Sequence, residues 1–463
     1  MLELSDIQGL VFSGYARKEY AEYLLLRVKD APRARAWLRG LSQQITTGAD
    51  RPPELCVNVA FTAAGLRAIG LDDDSLQSFP LEFREGMAGS ETRSRALGDV
   101  DASAPAHWLW GSDPNPVHVL LASYASSEQR LESAIHAQLA DSDAALDCVY
   151  RRSTRTLPER REHFGFADGI AQPRISGATS EGGRGKSVDA GEFILGYENA
   201  YGKLPFVPNA RPSLDAGAHL APCFPEGERA ALGRNGSYLV ARQLDQDVAA
   251  FWEYMQSAAR EHGGPAATAS DAAVFLASKC VGRWPSGAPL VEAPERDDPR
   301  LAQANEFGYF LHDRDGSRCP IGSHIRRSNP RDSLEPDPFN SLKVVERHRI
   351  LRRGRSYGAP IAKPWSNARK DAVERGLFFM CVNANIRRQF EFIQQTWVNN
   401  PKFEGLYEER DPIIGNTGGP GLFTIPGEPV RKRLRSVPAF VRVRGGAYFF
   451  LPSVRALRFL ASL

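Results

Sequence analysis

The order of hydrophobic periods in the first third of the chain leaves few folds open. YLLLRVK from Tyr23 reads as a strand, and Ala34, Trp37, Leu38, Leu41 and Ile45 then fall on one helical face. Leu55, Val57, Val59 and Phe61 alternate as a half-buried strand does, and a shorter helical stretch begins near Ala63. A third strand, VHVLLASYA from Val117, runs into Ser126 and Gln129 as a capping box. Leu131, Ala134 and Ile135 form the buried face of the helix that follows, and LDCVYRR from Leu146 closes the unit. This βαβ–βαβ order predicts a ferredoxin-like α+β domain, an antiparallel sheet covered on one face by helices.

A looser copy of the order follows. Tyr238 to Leu244 reads as a strand, and Val248, Phe251, Trp252 and Met255 recur at helical spacing. LFFMCV from Leu377 is a strand, HRILRR from His348 a shorter one, and Ile386, Phe390, Ile393 and Trp397 line one side of a helix. YFFLP from Tyr448 and Val454, Leu457 and Leu460 supply a last strand and a closing helix. At 463 residues the chain exceeds what one core usually serves, so two tandem ferredoxin-like domains are expected, although no sequence repeat is visible. The boundaries read as 1–174 and 236–463, joined by 175–235, a Gly/Pro/Ser-rich stretch too long for an ordinary connection and expected to wrap the site.

Net charge is only +3 and no dense basic stripe stands out, so there is no electrostatic case for nucleic acid. No apolar run is long enough to span a bilayer. The N-terminus MLELSDIQGL lacks a basic start, an uninterrupted apolar run and a twin-arginine pair, so a cytoplasmic location is the expectation. The six cysteines are scattered, which fits buried thiols better than a disulfide framework, and no CxxC or CxxCH is present.

The chemistry concentrates in three segments. GFADGIAQP, Gly165 to Pro173, sets Asp168 and Gly169 where tight backbone allows a close approach; an isolated Asp-Gly reads first as a turn. CPIGSHIRRSNPR, Cys319 to Arg331, carries His324 in a Pro/Gly-bounded loop flanked by arginines, a setting for an imidazole that holds a metal or an anionic cofactor. HRILRRGRSYG, His348 to Gly358, adds Arg352. A carboxylate, an imidazole and a guanidinium together suggest haem chemistry, and without CxxCH the haem is non-covalent.

These blocks, with GLFFMCVNANIRRQFEFIQ from Gly376, resemble the dye-decolourising peroxidases in the same order. Further similarity lies in DIQG at Asp6, FPLEFREGM at Phe79, GEFILGY at Gly191, GRWPSG at Gly282 and DPIIG at Asp411, so the resemblance spans nearly the whole chain and looks closest to longer members of the family. It implies two ferredoxin-like domains, one haem b in the C-terminal one, and peroxide-dependent oxidation of aromatic dyes and phenols. His324 is then the axial ligand, with Asp411 as the acceptor that orients it. Asp168 shuttles a proton and Arg352 stabilises charge.

Leu377 and Phe379 share strand parity and are expected at the distal cavity, a placement that equally suits core packing. Arg331 suits a haem propionate, or a loop salt bridge. His312 and His348 read as polar or core histidines. Where family members often have Ile-Pro after RRG, this chain has Arg355 and Ser356, which puts charge near an access route. Tyr357, five positions after Arg352, is the candidate for carrying electrons between haem and surface. Two other readings stand beside the peroxidase: a haem-handling protein of the same superfamily, and a haem-free interaction module. The oligomeric state is not legible.

Overall fold

The computed structural model describes residues 1–50, 54–140, 142–178, 187–223, 227–262 and 268–463. Strands β1 (Tyr20–Val28), β2 (Leu55–Phe61), β3 (Val119–Ala125) and β4 (Leu146–Arg155) alternate with helices α1 (Ala31–Ser42) and α2 (Glu128–Leu139). The second half supplies β5 (Ser237–Gln246), helices α3 (Val248–His262), α4 (Ala269–Val281) and α5 (His324–Ser328), and the short strands β6 (Leu351–Arg352) and β7 (Arg355–Tyr357). It ends with β8 (Gly376–Asn383), a hairpin of β9 (Gly421–Ile425) and β10 (Lys432–Val437), β11 (Val441–Leu451) and α6 (Val454–Ser462).

One nine-stranded sheet runs in the order β4-β1-β3-β2-β11-β5-β8-β6, with β7 also paired to β8. Its neighbouring strands are antiparallel throughout. In each half the strands lie fourth, first, third, second. The ferredoxin-like order therefore occurs twice, and the two copies meet edge to edge at the single pair Phe61↔Phe450. Closing the two halves into one sheet covers a pair of edges that would otherwise stand open.

The pleat sends alternate residues to two cores. Leu24, Val59, Leu121, Val240, Phe450 and Leu457 belong to the one under the helices α1, α2 and α6. Tyr23, Ala60, Leu239, Phe378, Met380 and Phe449 face the other side. The long connecting segment packs on both sides: Ile175, Val188, Phe193 and Ile194 are buried in the second core and Leu195, Ala210 and Leu232 in the first, and none of its described residues lines the cavity discussed below. It does not wrap the site, because its apolar residues are drawn into these two cores instead.

Local chemistry fixes the helix ends. Asp30 caps α1 by accepting from Arg33 N–H, and Pro32 sits in the first turn, where its missing N–H costs nothing. The cap of α2 is Ser127, which accepts from Arg130 N–H, one residue beyond the serine the capping-box spacing selects. The stretch carrying Ile386, Phe390, Ile393 and Trp397 is wound wider than an α-helix over Arg387–Glu391 and Ile393–Val398. Glu391 N–H reaches back to Ile386 O and Asn399 N–H to Gln394 O, both five residues away. All four predicted apolar positions are buried. Wide turns of this kind occur often beside functional sites, and Phe390, Ile393 and Trp397 border the cavity. Among the described residues no helix is long and apolar enough to cross a membrane.

Candidate active site

A cavity of about 300 Å³ opens on the helical side of the second half, bounded by the 162–171 loop, β5, α5, the segment leading to β6, β8 and the wide helix. Asp168, Gly169, His324, Arg331, Arg352, Leu377 and Phe379 all border it. Asp411 stands behind His324.

His324 is the first residue of α5, held there by the two arginines that follow it. Arg326 donates to the carbonyls of Asp313, Cys319 and Arg314, and Arg327 to those of Trp397, Asn400 and Glu409. Both are essentially inaccessible, so they pin the helix rather than meet a ligand. His324 Nδ1 pairs with Asp411 Oδ2 at 2.8 Å, while Asp411 Oδ1 accepts from Ile413 N–H (2.8 Å) and Ile414 N–H (3.0 Å). Burial works against ionisation of both groups, but their mutual attraction outweighs it: the imidazole is raised and the carboxyl lowered from their ordinary values. With Nδ1–H committed to Asp411, Nε2 carries the free lone pair.

Asp168 and Arg352 come from opposite ends of the sequence motif set. Gly165 lets the loop turn with φ +99°; a Cβ there would stand 2.9 Å from Pro364 and 3.0 Å from Trp365. Gly169 has φ +84° and open space where a Cβ would be. Arg352 is placed by pairing of β6 with β8, opposite Cys381. Its Nη1 donates to Asp168 Oδ1 at 2.8 Å, and Gly169 N–H donates to the same oxygen at 2.6 Å. Asp168 Oδ2 makes no bond among the described residues, and 45% of this side chain is accessible, against 35% for Arg352. Desolvation raises the Asp168 carboxyl, yet the Arg352 charge, the Gly169 N–H and the more distant His324 hold it below its ordinary value. It is a carboxylate with one oxygen fixed and one free.

Sequence reading missed four polar groups on this wall. Among the described residues the Arg349 guanidinium donates only to Ala171 O (3.0 Å) and makes no ion pair. Burial, with Arg331 and Arg352 repelling it, pushes it down to about 10. Arg242, on β5, is paired to buried Asp99. His348 presents its ring to the cavity, stacked on Phe392 at 3.8 Å, with Nδ1 at Arg388 O. Glu162 lies in the 162–171 loop. Each is an isolated residue without a local pattern; for Arg349, three arginines within HRILRR hide which one turns inward.

Arg331 also borders the cavity, using Nη1 on Asn305 O and Phe307 O and Nη2 on Asn305 Oδ1. Arg283 bonds the same asparagine. Arg283, Arg331 and Arg349 thus converge with no carboxylate paired to them among the described residues. A ligand with anionic arms is what such a wall lacks, and haem, with a metal for Nε2 and two carboxylates for the guanidinium groups, fits the donor set.

Two expectations are corrected. Tyr357 is 1% exposed; its hydroxyl donates to Asp245 and Arg152 lies 4.4 Å over its ring. It shares a face with Phe378, opposite the cavity-facing Leu377 and Phe379. It does not reach solvent, because β7 turns it into the far core. Arg355 brings no charge to an access route: it is buried on the carbonyls of Gly14, Tyr15, Lys18 and Glu19. His312 is exposed and away from the cavity.

No protein-family model matches the chain. A dye-decolorizing peroxidase of Mycena epipterygia is 30% identical over 502 residues, an alignment that covers 100% of this chain and 87% of that one. The crystal structure of a fungal DyP-type peroxidase from Auricularia auricula-judae superposes with a TM-score of 0.80 at 27% identity, covering 100% of both chains. A dye-decolorizing peroxidase solved in complex with 2,6-dimethoxyphenol gives 0.81 at 27% identity, again over 100% of both. The agreement spans the full length of the chain, and the chain belongs to the dye-decolourising peroxidase family.

Proposed function

We propose that three side chains divide the work of a haem peroxidase in this cavity: His324 Nε2 ligates the iron, Asp168 moves a proton and Arg352 supports negative charge. The protein reduces hydrogen peroxide and oxidises dyes and phenols. Haem b, when bound, supplies an iron that takes up peroxide and the electron store that one-electron donors refill.

Heterolysis of peroxide needs one oxygen to lose a proton and the other to gain it. Asp168 Oδ2 is free to accept that proton, and the depressed proton affinity of this carboxyl lets it hand the proton back readily. Arg352 brings a guanidinium whose Nη1 holds Asp168, while Nε–H and Nη2–H make no bond among the described residues and are available to an oxygen on which charge develops. Asp411 keeps the His324 proton on Nδ1, which fixes the ring and enriches the electron density at Nε2. Arg331 and Arg349 take the propionates, and Leu377 and Phe379 keep water from the reacting side.

The observation that carries this reading is the 2.8 Å pair of Asp168 and Arg352 in the cavity that His324 also borders. A protein that only carries porphyrin has no use for a half-free carboxylate on a guanidinium. The test is the haem-loaded protein with peroxide and a phenol: sustained, peroxide-dependent turnover supports the reading, and full haem content without turnover leaves the haem-handling alternative. None of the six cysteines is in a disulfide, which supports a reducing compartment and a cytoplasmic site of action; subcellular fractionation decides it.

A further inference from the structure

Glu162 stands six residues before Asp168 and has no part in the mechanism above. Its carboxyl faces the cavity wall and grips the loop it starts: Phe164 N–H donates to Oε2 (2.8 Å) and Phe166 N–H to Oε1 (3.0 Å). Gln246 Nε2, at the end of β5, also donates to Oε2 (2.8 Å). The backbone closes the same turn, Glu162 N–H on Phe166 O and Gly165 N–H on Glu162 O, both at 2.9 Å. The next two residues are anchored outward, Ala167 N–H on Pro285 O and Asp168 N–H on Arg160 O. Glu162 therefore ties the Asp168 loop both to itself, at Phe164 and Phe166, and to the rim of the sheet, at Gln246.

We propose that Glu162 is a positioning residue for Asp168: ionised, it holds the loop so that Asp168 meets Arg352, and on taking up a proton it gives up part of that hold. The proposal rests on the reading of Asp168 as the proton-moving group. A carboxylate accepts all three donors strongly; a neutral carboxyl has one hydroxyl oxygen, a poorer acceptor. Gln246 Oε1 is buried without a partner among the described residues, so turning that amide over offers an acceptor to protonated Glu162, and both states persist in the folded protein. Desolvation pushes Glu162 up to about 7 against the pull of its three donors, with the Asp168 charge adding to the rise. The other charged or titratable groups on the cavity wall are Arg352, Arg242, Arg283, Arg331, Arg349, His324 and His348, while His163 next door turns away to Tyr357 O.

The probe is cyanide, whose proton a distal base must remove before it binds haem. In the haem-loaded wild type its association rate should rise as pH increases through neutrality. Glu162→Gln should keep the low-pH rate throughout, about tenfold below wild type on the alkaline side, a part of the roughly hundredfold that a 1 Å misplacement can cost. Gln246→Leu keeps both backbone bonds and removes one donor to the ionised form, so its step should move to higher pH. In the haem-free protein the infrared C=O band of a protonated carboxyl should titrate in the same range and vanish in Glu162→Gln. A wild-type rate and step in Glu162→Gln, or an unmoved step in Gln246→Leu, overturns the proposal. Asp168→Asn separates the two claims: fast cyanide binding there removes Asp168 as the base and Glu162's role with it, whereas slow binding there beside a normal Glu162→Gln defeats the Glu162 proposal alone.

Discussion

Replacing Asp411 by asparagine isolates what the buried partner does for His324. The carboxyl group is fully buried, with Oδ1 on two backbone N–H groups and Oδ2 on His324 Nδ1. Asparagine keeps the first pair through its carbonyl oxygen but turns an NH₂ toward the ring. When Nε2 is given to iron, Nδ1 must carry its proton, so donor faces donor. The loss is one hydrogen bond to a charged acceptor plus a buried N–H left without a partner, about 3 kcal/mol together. At 1.4 kcal/mol per decade that is roughly a hundredfold in haem affinity. The haem-free variant loses less, because there the imidazole can move its proton to Nε2 and accept from the amide. Haem release to an excess of a scavenging protein, alongside denaturant unfolding of the haem-free form, measures both. Unchanged haem release, or a loss of equal size in the two experiments, would refute the reasoning.

His324→Ala should leave the fold intact by circular dichroism and remove most bound haem; wild-type occupancy with an unchanged ligand-field spectrum excludes His324 as the ligand. Arg349→Leu should weaken haem binding by roughly tenfold or more, the range of one hydrogen bond to a charged group. It should leave haem-free stability unchanged or higher, since it deletes a cation repelled by Arg331 and Arg352; a less stable haem-free protein contradicts this. His163 is 3% exposed and burial pushes it down to about 4. The unfolded chain therefore binds a proton near pH 6.5 that the native state refuses, and stability falls as pH drops from there through the folded value, by about 3 kcal/mol in all. His163→Gln should flatten that slope in urea titrations; an unaltered slope means the ring is protonated in place.

The fold was legible where elements are long enough to carry a pattern. β1 to β4 follow from strand-length apolar runs between turns, and α1 and α2 from the 3.6-residue period; that β1 to β3 are buried on both faces, in two cores, was not legible, because the expected sheet had helices on one face only. The second copy of the sheet order was only partly legible: β6 and β7 have two and three residues, too few for any period, and their place is fixed by pairing with β8. The direction of the 175–235 segment was not legible at all, since Gly- and Pro-rich composition says that a chain is irregular and not which sheet face it covers. At the site, His324, Asp168 and Arg352 announced themselves through glycine- and arginine-rich surroundings. Arg349, Arg242 and Glu162 did not, for their roles come from partners far away in sequence, Ala171, Asp99 and Gln246 among them. Tyr357 misled because sequence distance from Arg352 does not report which side of a strand a ring takes.

The central claim is that Asp168 moves the proton when peroxide is activated beside His324-bound haem. Its most direct test is the bimolecular rate of the haem-loaded protein with hydrogen peroxide, by stopped flow, in wild type and Asp168→Asn at equal haem content. General acid–base catalysis of this kind contributes about 10²- to 10⁴-fold, so at least a hundredfold fall is expected. A fall of less than tenfold, about 1.4 kcal/mol of barrier, would contradict the claim and assign the proton to water or to another group.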